Sequence, residues 1–520
     1  MKALLSVFNK TGVADFARVL HSLKYELLST GGTHRELTNA KIPVQQISAA
    51  TGFPEILGGR VKTLHPNIHG GILARRNLPE DVSELSDHEI DPIDVVVGNL
   101  YPFREVSNKK GSKRDEVLEN IDIGGPTLIR AAAKNFPSVI VIVDPDDYGW
   151  ISKKMEGPGL SIEDRRKLAH KAFQHVALYD TAISNYLSDD PVTTYPKELT
   201  IGLNKRLDLR YGENPHQKGA LYTFDSGVID GIGNFTQHHG KDLSFVNVLD
   251  ADAAFNLVSD FNDPAIAIIK HTNPCCFATG NVDIASLYEM ALSQGDAVSA
   301  YGGIIATNRP IDMAYSKTLR ETLSPVTGKR MFYEIIMAPD AESSALEHLK
   351  RKSKDLRILT ANLPSPSVAH RQIQTVRGGA LLQQPDSTVS TETDFQIVTK
   401  KRPSESELID LRVAWTICKH VKSNAITIVK NKVLIGMGAG QPNRVTSVRL
   451  ASQFAGGASN GAALASDALF PFDDNVHEAA SAGITAIVQP GGSIRDEEII
   501  ETANNLGIAM AFTGTRHFLH

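Results

Sequence analysis

Short apolar runs that end in turn residues, each followed by apolar residues at helical spacing, restrict the first third of the chain to alternating strands and helices. Ala3 to Phe8 is such a run and stops at Asn9-Lys10-Thr11-Gly12. Val13, Phe16, Ala17, Leu20 and Leu23 then share one helical face. Tyr25 to Leu28 is a second run, ending at Ser29-Thr30-Gly31-Gly32. Thr33 with Glu36 has the capping-box pattern and is predicted to start the next helix. Val95 to Val97 and Val139 to Val143 read as buried strands. Strands alternating with helices imply an α/β fold on a mostly parallel, doubly wound sheet.

At 520 residues the chain exceeds one hydrophobic core, and two to four domains are expected. The alternation lapses between Leu187 and Leu199. Asp189, Asp190, Pro191, Thr193, Thr194 and Pro196 form a polar connector there, which divides residues 1-196 from 197-520. The second part is again α/β. Its strand candidates are Ala265 to Lys270, Gly303 to Ala306, Phe332 to Ala338, Ala425 to Lys430 and Ala486 to Gln489. Ser404 and Glu407 cap a helix that reaches towards Cys418. Ala265 to Lys270 and Ala425 to Lys430 look alike, each an apolar strand ending in lysine. They mark either two similar halves or the common vocabulary of buried strands.

A net charge of -5 supplies no basic stripe for a nucleic-acid backbone. Cys275, Cys276 and Cys418 make neither a disulfide framework nor a Cys-x-x-Cys zinc site, which suits a reducing, cytoplasmic setting. The apolar stretch after Met1 is too short for a signal peptide, and no run is long enough to cross a membrane.

Two strand-to-helix turns suit an anion. Ser29 to Thr33 offers hydroxyls and a flexible backbone at a helix N-terminus, and Asn9 to Gly12 adds Lys10 and Thr11. Either alone is explained as a tight turn; two in one sheet favour a phosphate site. In an extended segment Arg60 and Lys62 point the same way, which like charges tolerate best with an anion between them. His65 and His69 have the spacing of a helical metal pair, but Pro66 pushes His65 out of the helix and no third ligand follows. Asp122-Ile123-Gly124-Gly125-Pro126 leads into a helix on which Arg130 and Lys134 share a face, solvated in the plainest reading. Asn99 to Pro102 follows a buried strand at the edge where α/β ligands collect. In the second part, Arg210 to Gln217 is a polar, turn-rich loop. Lys270-His271-Thr272-Asn273-Pro274 follows an apolar strand, read as one end of a parallel sheet. There a histidine takes a proton near neutral pH, and a neighbouring lysine depresses its pKa.

Ser29 to Thr33, Gly59 to Pro66, Gly98 to Phe103, Asp122 to Gly125 and Arg130 to Asn135 together resemble the inosinate cyclohydrolase domain, which has a methylglyoxal-synthase-like fold. The resemblance implies that Lys62, Tyr101, Asp122 and Lys134 surround a closing ring. It implies that Arg60, Lys10, Thr11 and the loop Ser29, Thr30, Gly31, Gly32 and Thr33 hold the nucleotide. The second part resembles the formyltransferase acting on the aminoimidazole-carboxamide ribonucleotide (AICAR). Its markers are Arg210 to Gln217, Asn247 to Ala254, Lys270 to Pro274, Ser299 to Gly303, Lys422 to Ala425, Gly438 to Gln441, Ser466 to Phe472 and Arg516 to His520. The combined resemblance spans nearly the whole chain.

It implies a cytidine-deaminase-like α/β fold in two related subdomains, a homodimer, and 10-formyltetrahydrofolate as donor. A monovalent cation is left open. His271 is then the base for the 5-amine, Lys270 positions the formyl group and Asn424 orients an oxygen. Arg210, Tyr211, Asn247 and Arg516 bind the nucleotide, and Phe470, Pro471, Phe472 and Asp474 line the folate site. Cys276 sits where the family often has glycine, and the alignment of Glu334 is loose. Cys275 and Cys276 are expected to pack rather than react. The His-x-Glu and Pro-Cys-x-x-Cys signature of zinc deaminases is missing, so no catalytic metal is expected. The rival readings are a regulatory protein that senses a phosphorylated metabolite, and a chain keeping one of the two activities.

Overall fold

The computed structural model describes residues 1–109, 111–188, 195–225, 230–351, 353–364, 371–388 and 395–520. It divides into two compact units. Unit 1 comprises Met1–Asn204 and Phe224–Val228, and unit 2 comprises Lys205–Thr223 and Ile229–His520. Of the expected connector, residues 189–194 lie outside the described residues.

Unit 1 is built on a five-stranded sheet of β1 (Lys2–Ser6), β2 (Glu26–Ser29), β3 (Gln45–Gln46), β4 (Val95–Gly98) and β5 (Ile140–Ile142). The order is β3-β2-β1-β4-β5 and every pairing is parallel. Ala3, Leu4 and Leu5 are fully buried, because helices cover both faces of a parallel sheet. The order reverses at β1, so the loops after β1, β2 and β4 open onto the crevice where α/β folds bind ligands. The predicted capping box is corrected here. The helix begins at Gly31 with Thr30 as N-cap and no side-chain cap. The Thr33 hydroxyl instead donates to Val7 O (2.9 Å) and accepts from Val7 N (3.1 Å). Unpaired backbone groups at the buried end of β1 outbid the cap.

In unit 2, β6 (Leu203–Leu209) with β7 (Gly219–Phe224), and β14 (Gln372–Val376) with β15 (Gly379–Gln383), are two-stranded ribbons. The remaining strands are β8 (Thr236–His239), β9 (Ala265–Lys270), β10 (Asn273–Thr279), β11 (Ile304–Thr307), β12 (Ile335–Ala338) and β13 (Arg357–Thr360), then β16 (Gln396–Ile397), β17 (Ile426–Lys430), β18 (Val433–Gly438), β19 (Ala463–Ser466), β20 (Ala486–Gln489) and β21 (Ala509–Phe512). They form one twelve-stranded sheet, β16-β21-β20-β19-β17-β18-β10-β9-β11-β12-β13-β8. Read outward from the β18–β10 pair, both halves repeat the same plan: an antiparallel hairpin, three mutually parallel strands and an antiparallel edge strand. Ser244 and Ser404 each cap a helix with a capping box, Asp250 and Asp410 sit in the second turns, and Lys270 and Lys430 end the first hairpin strands. All three pairs have the same separation in sequence, which resolves the open question in favour of two similar halves.

Alternate residues of β9 enter two different cores: Ile266 and Ile268 on one face, Ala265, Ala267 and Ile269 on the other. That is why the strand is apolar throughout rather than alternating. One expectation is overturned: β9 pairs antiparallel with both β10 and β11, so His271 lies on a hairpin turn rather than at the end of a parallel strand.

Helix Arg444–Ala455 packs directly on β18, where a Cβ at Gly438 would run into the backbone of Ser447. Gly438→Ala is expected to destabilise unit 2 by about 1–3 kcal/mol, the usual cost of overpacking. Gly457→Ala, which enters open space, is the control. Urea unfolding midpoints test the pair.

Candidate active sites

The crevice of unit 1 is assembled by side chains bonding to the ends of β1 and β4. Asn99, just past β4, accepts from Phe8 N (2.7 Å) and Asn9 N (2.9 Å) and donates to Asn9 O (3.1 Å). This fixes the turn that carries Lys10. Ser29 Oγ donates to Leu5 O at 2.7 Å, and Thr30 Oγ1 lies 2.9 Å from Ser6 Oγ. Ser29 and Thr33 therefore spend their hydroxyls on the scaffold, contrary to the expectation that they offer them to a ligand. What faces the crevice is the helix N-terminus at Gly31 and Gly32, whose first N–H groups have no intrahelical partner. Lys10 Nζ lies 3.5 Å from where a Gly32 Cβ would stand, so cation and helix terminus converge.

Asp122 is the electrostatic centre beside this cradle. Burial raises its pKa; the Gly125 N–H at 2.8 Å, the Lys62 charge and the Gly124 and Tyr101 N–H groups work the other way. Tyr101 is half-exposed, with its ring edge-on to Phe8 at 6.0 Å. Sequence reasoning missed Tyr179. Its hydroxyl accepts from Asp122 N (2.7 Å) and donates to Asn120 O (3.0 Å), and burial pushes its pKa up to about 12. It sits on the Ile162–Leu187 helix with no local sequence signal.

Two expected members stand apart. Arg60 is drawn into an exposed ion pair with Glu119. Lys134 ends the Gly124–Lys134 helix, about 15 Å along the axis from Gly124 at about 1.5 Å per residue. It lines a separate cavity of about 630 Å³ with His69 and Arg130. The expectation that Lys134 joins Lys62, Tyr101 and Asp122 within one chain is therefore not met. His65 caps the Pro66–Leu73 helix, its ring nitrogen accepting from Asn67 N at 3.2 Å. Among the described residues no group of His, Cys, Asp and Glu converges as a metal site would.

In unit 2, β9 turns into β10 through His271 (φ 54°) and Thr272 (φ 60°). Two positive φ values make this a tight hairpin turn normally built from Asn-Gly, and each costs about 1–2 kcal/mol for other residues. Asp250 compensates by accepting from His271 N (3.3 Å) and Thr272 N (2.7 Å). His271 is exposed, and Lys270 Nζ donates to Tyr301 O at 2.8 Å. Asn247 closes the capping box of the Phe245–Ser259 helix that carries Asp250. Arg210 stacks over Tyr211 at 5.2 Å, and Tyr211 O accepts from Phe245 N at that helix's start. Arg210, Tyr211 and Asn247 therefore gather at the N-terminus of the helix that also holds the turn. Glu334 N donates to Gly303 O, and its carboxylate pairs with the buried Arg357 at 2.7 Å.

The second half approaches this turn through Lys422, whose N–H donates to Asn273 Oδ1 at 3.3 Å. Asn424 follows, held by Arg444 to its Oδ1 (2.7 Å) and donating to Gln441 O (2.8 Å). Arg444 also pairs with the fully buried Asp467, which accepts from the Ser423 hydroxyl. Asn424, Arg444, Pro471, Phe472, Asp474 and Arg516 line one cavity of about 690 Å³. Arg444 and Asp467 were missed, although the Gly438 to Gln441 marker stops three residues short of Arg444. Phe470 is corrected: it is fully buried in the core, its N–H donating to Gln489 Oε1 at 3.0 Å. The C-terminal tail is tied in by Ser423 N to Leu519 O at 2.9 Å, which brings Arg516 to the cavity.

The model of the AICARFT/IMPCHase bienzyme family matches residues 132–453, and that of the MGS-like domain matches 12–127. The bifunctional purine biosynthesis proteins PurH of Halalkalibacterium halodurans and Bacillus thuringiensis are each 48% identical over all of this chain and 99% of their own. This chain belongs to the AICARFT/IMPCHase bienzyme family. A solved structure described as the crystal structure of ForH covers 36% of this chain and 96% of its own, at 38% identity and a TM-score of 0.33.

Membership makes the chain a bifunctional enzyme of purine biosynthesis, with AICAR formyltransferase and IMP cyclohydrolase activities and a folate-type co-substrate. The comparisons give no support to the metabolite-sensor reading. The MGS-like match falls on the crevice of unit 1. Cys276 is buried, and its hydrogen bond with Cys275 and its burial both push the thiol pKa up, which makes it a poor nucleophile. No helix among the described residues is long and apolar enough to cross a membrane.

Asp122 yields a signed prediction. Its raised folded pKa means the native state holds the proton to higher pH than the unfolded chain does. Stability then falls as pH rises between the two values, and the ionised carboxylate costs the fold at neutral pH. Relative to wild type, Asp122→Asn should gain stability as pH rises from below the ordinary carboxyl range to neutral, read from thermal melts across that range.

Proposed function

We propose that unit 1 carries the cyclohydrolase and unit 2 the transferase, and that together they perform the last two steps of IMP synthesis. In unit 2, 10-formyltetrahydrofolate is the donor. The 5-amino nitrogen of AICAR attacks the formyl carbon, His271 accepts the proton lost by the amine, and the bond to the folate N10 breaks as His271 returns that proton to N10, releasing tetrahydrofolate. Lys270, beside the turn, stabilises the oxyanion on the formyl oxygen, and Asn424, locked by Arg444, orients the carboxamide or formyl oxygen. Arg210, Tyr211, Asn247 and Arg516 hold the nucleotide. Pro471, Phe472 and Asp474 face the folate, whose flat ring system, with its polar amide edge, suits a cavity of about 690 Å³ lined by both apolar and charged side chains.

In unit 1, Lys10 and the Gly31–Gly32 helix terminus receive the phosphate of the formylated intermediate, FAICAR. Its carboxamide nitrogen attacks the formyl carbon and the oxygen departs as water. Lys62 stabilises the developing negative charge, while Asp122 and Tyr101 move the protons. The observation that carries this assignment is Asp122, a carboxylate strained by burial, held between the Lys62 charge and the Tyr101 backbone. Coupling the steps has a thermodynamic use, since ring closure drains the product of formyl transfer. We further propose a cytoplasmic homodimer, for which light scattering showing a monomer at working concentration would be decisive against.

The test is a paired assay of the purified chain. AICAR and 10-formyltetrahydrofolate are supplied, and tetrahydrofolate and IMP are followed together. Wild type should release both, His271→Ala should release neither, and Lys62→Ala should release tetrahydrofolate while FAICAR accumulates. Wild type that binds AICAR and makes no product would overturn the reading.

A further inference from the structure

The two halves of unit 2 share a device at their first hairpin turn. Asp410 accepts from Asn431 N (2.8 Å) and Lys432 N (2.7 Å), as Asp250 does from His271 and Thr272. Asn431 and Lys432 also have positive φ, 53° and 64°. Both carboxylates are buried, 6% and 8% exposed. The preceding lysines match as well: Lys430 Nζ donates to Asn460 O at 2.6 Å, as Lys270 Nζ does to Tyr301 O at 2.8 Å. What both halves keep is the shape of the turn and the carboxylate that holds it. What differs is the first turn residue, an imidazole at 271 and a carboxamide at 431.

We infer that Asp250 is a positioning residue for formyl transfer: its carboxylate holds the His271–Thr272 turn in the left-handed conformation that aims the imidazole, whereas Asp410 makes the same contacts for stability alone. The inference rests on the reading of His271 as the transferase base. A β-branched threonine disfavours positive φ strongly. Without both acceptor oxygens the turn has other conformations to relax into, and the imidazole leaves its place with it. Burial opposes the charge on Asp250, and the two turn N–H groups are the main interactions that support it.

The second half supplies the control within the same chain. Asp250→Asn and Asp410→Asn each leave one acceptor oxygen for two N–H groups. Thermal melts of the full chain, with kcat and KM for AICAR in the presence of 10-formyltetrahydrofolate, are compared with His271→Ala. Both asparagine variants should melt lower by similar amounts. Asp250→Asn should lose about 10²-fold in kcat, the scale of a misplacement of about 1 Å, with little change in KM. Asp410→Asn should keep the wild-type kcat. Thr272→Gly accepts positive φ freely, so the loss caused by Asp250→Asn should shrink in that background. If His271→Ala keeps full kcat, the base assignment itself fails. If His271→Ala is inactive while Asp250→Asn and Asp410→Asn have equal kcat, the positioning role is overturned. Should Asp250→Asn alone not fold, the comparison is repeated with Thr272→Gly present, and equal kcat for the two aspartate variants there overturns it likewise.

Discussion

The antiparallel contact between β10 and β18, where Ala278 faces Val433, joins two hairpins into one twelve-stranded sheet, and the whole of unit 2 depends on it. Each half alone would leave a hairpin edge unpaired, a row of backbone groups open to any other strand. Meeting at Ala278 and Val433 covers part of both edges. It also sets where chemistry can occur. β9 and β17 run in opposite directions across the joint, so the turn after β9 meets the segment before β17. His271 and Asn273 come from one half and Lys422 and Asn424 from the other.

Buried charge is the second recurring constraint. Asp122, Asp250 and Asp410 each have their pKa raised by desolvation, and each is held mainly by backbone N–H groups rather than a full salt bridge. Backbone donors cannot move away, so such a carboxylate fixes main-chain shape. Arg444 and Asp467 solve the same problem as a buried pair, with Ser466 Oγ as an additional acceptor at 2.9 Å from Arg444. Replacing either partner alone would strand a charge, which is more costly than removing both. Through Arg444 the pair also holds the Asn424 carboxamide at 2.7 Å.

The strands were legible because burial on both faces writes itself as an unbroken apolar run, and β9 matches its predicted limits. The Ser404–Glu407 capping box was legible for a local reason, two residues bonding each other's backbone. The Thr33–Glu36 pattern had the same spelling and a different outcome, because Thr33 lies against the end of β1. Strand direction was not legible at β9: an apolar run carries no sign of its neighbour's polarity. Phe470 looked like a binding aromatic in a motif, and only packing shows it facing the core.

The sequence by itself determined the class of fold, the two-part organisation and the motifs by which the family is known, since these follow from periodicity, turn chemistry and residue type. It also held both copies of the Ser–Asp–Lys spacing. Tertiary structure alone decided which charged groups meet. The Lys62 charge acts on Asp122, whereas Lys134 stands at the far end of its helix, about 15 Å along the axis from Gly124. Tyr179 and Arg444 act through residues distant in sequence, and nothing local distinguishes them from any other tyrosine or arginine. Their contacts exist only because each unit's own sheet brings remote segments of the chain together.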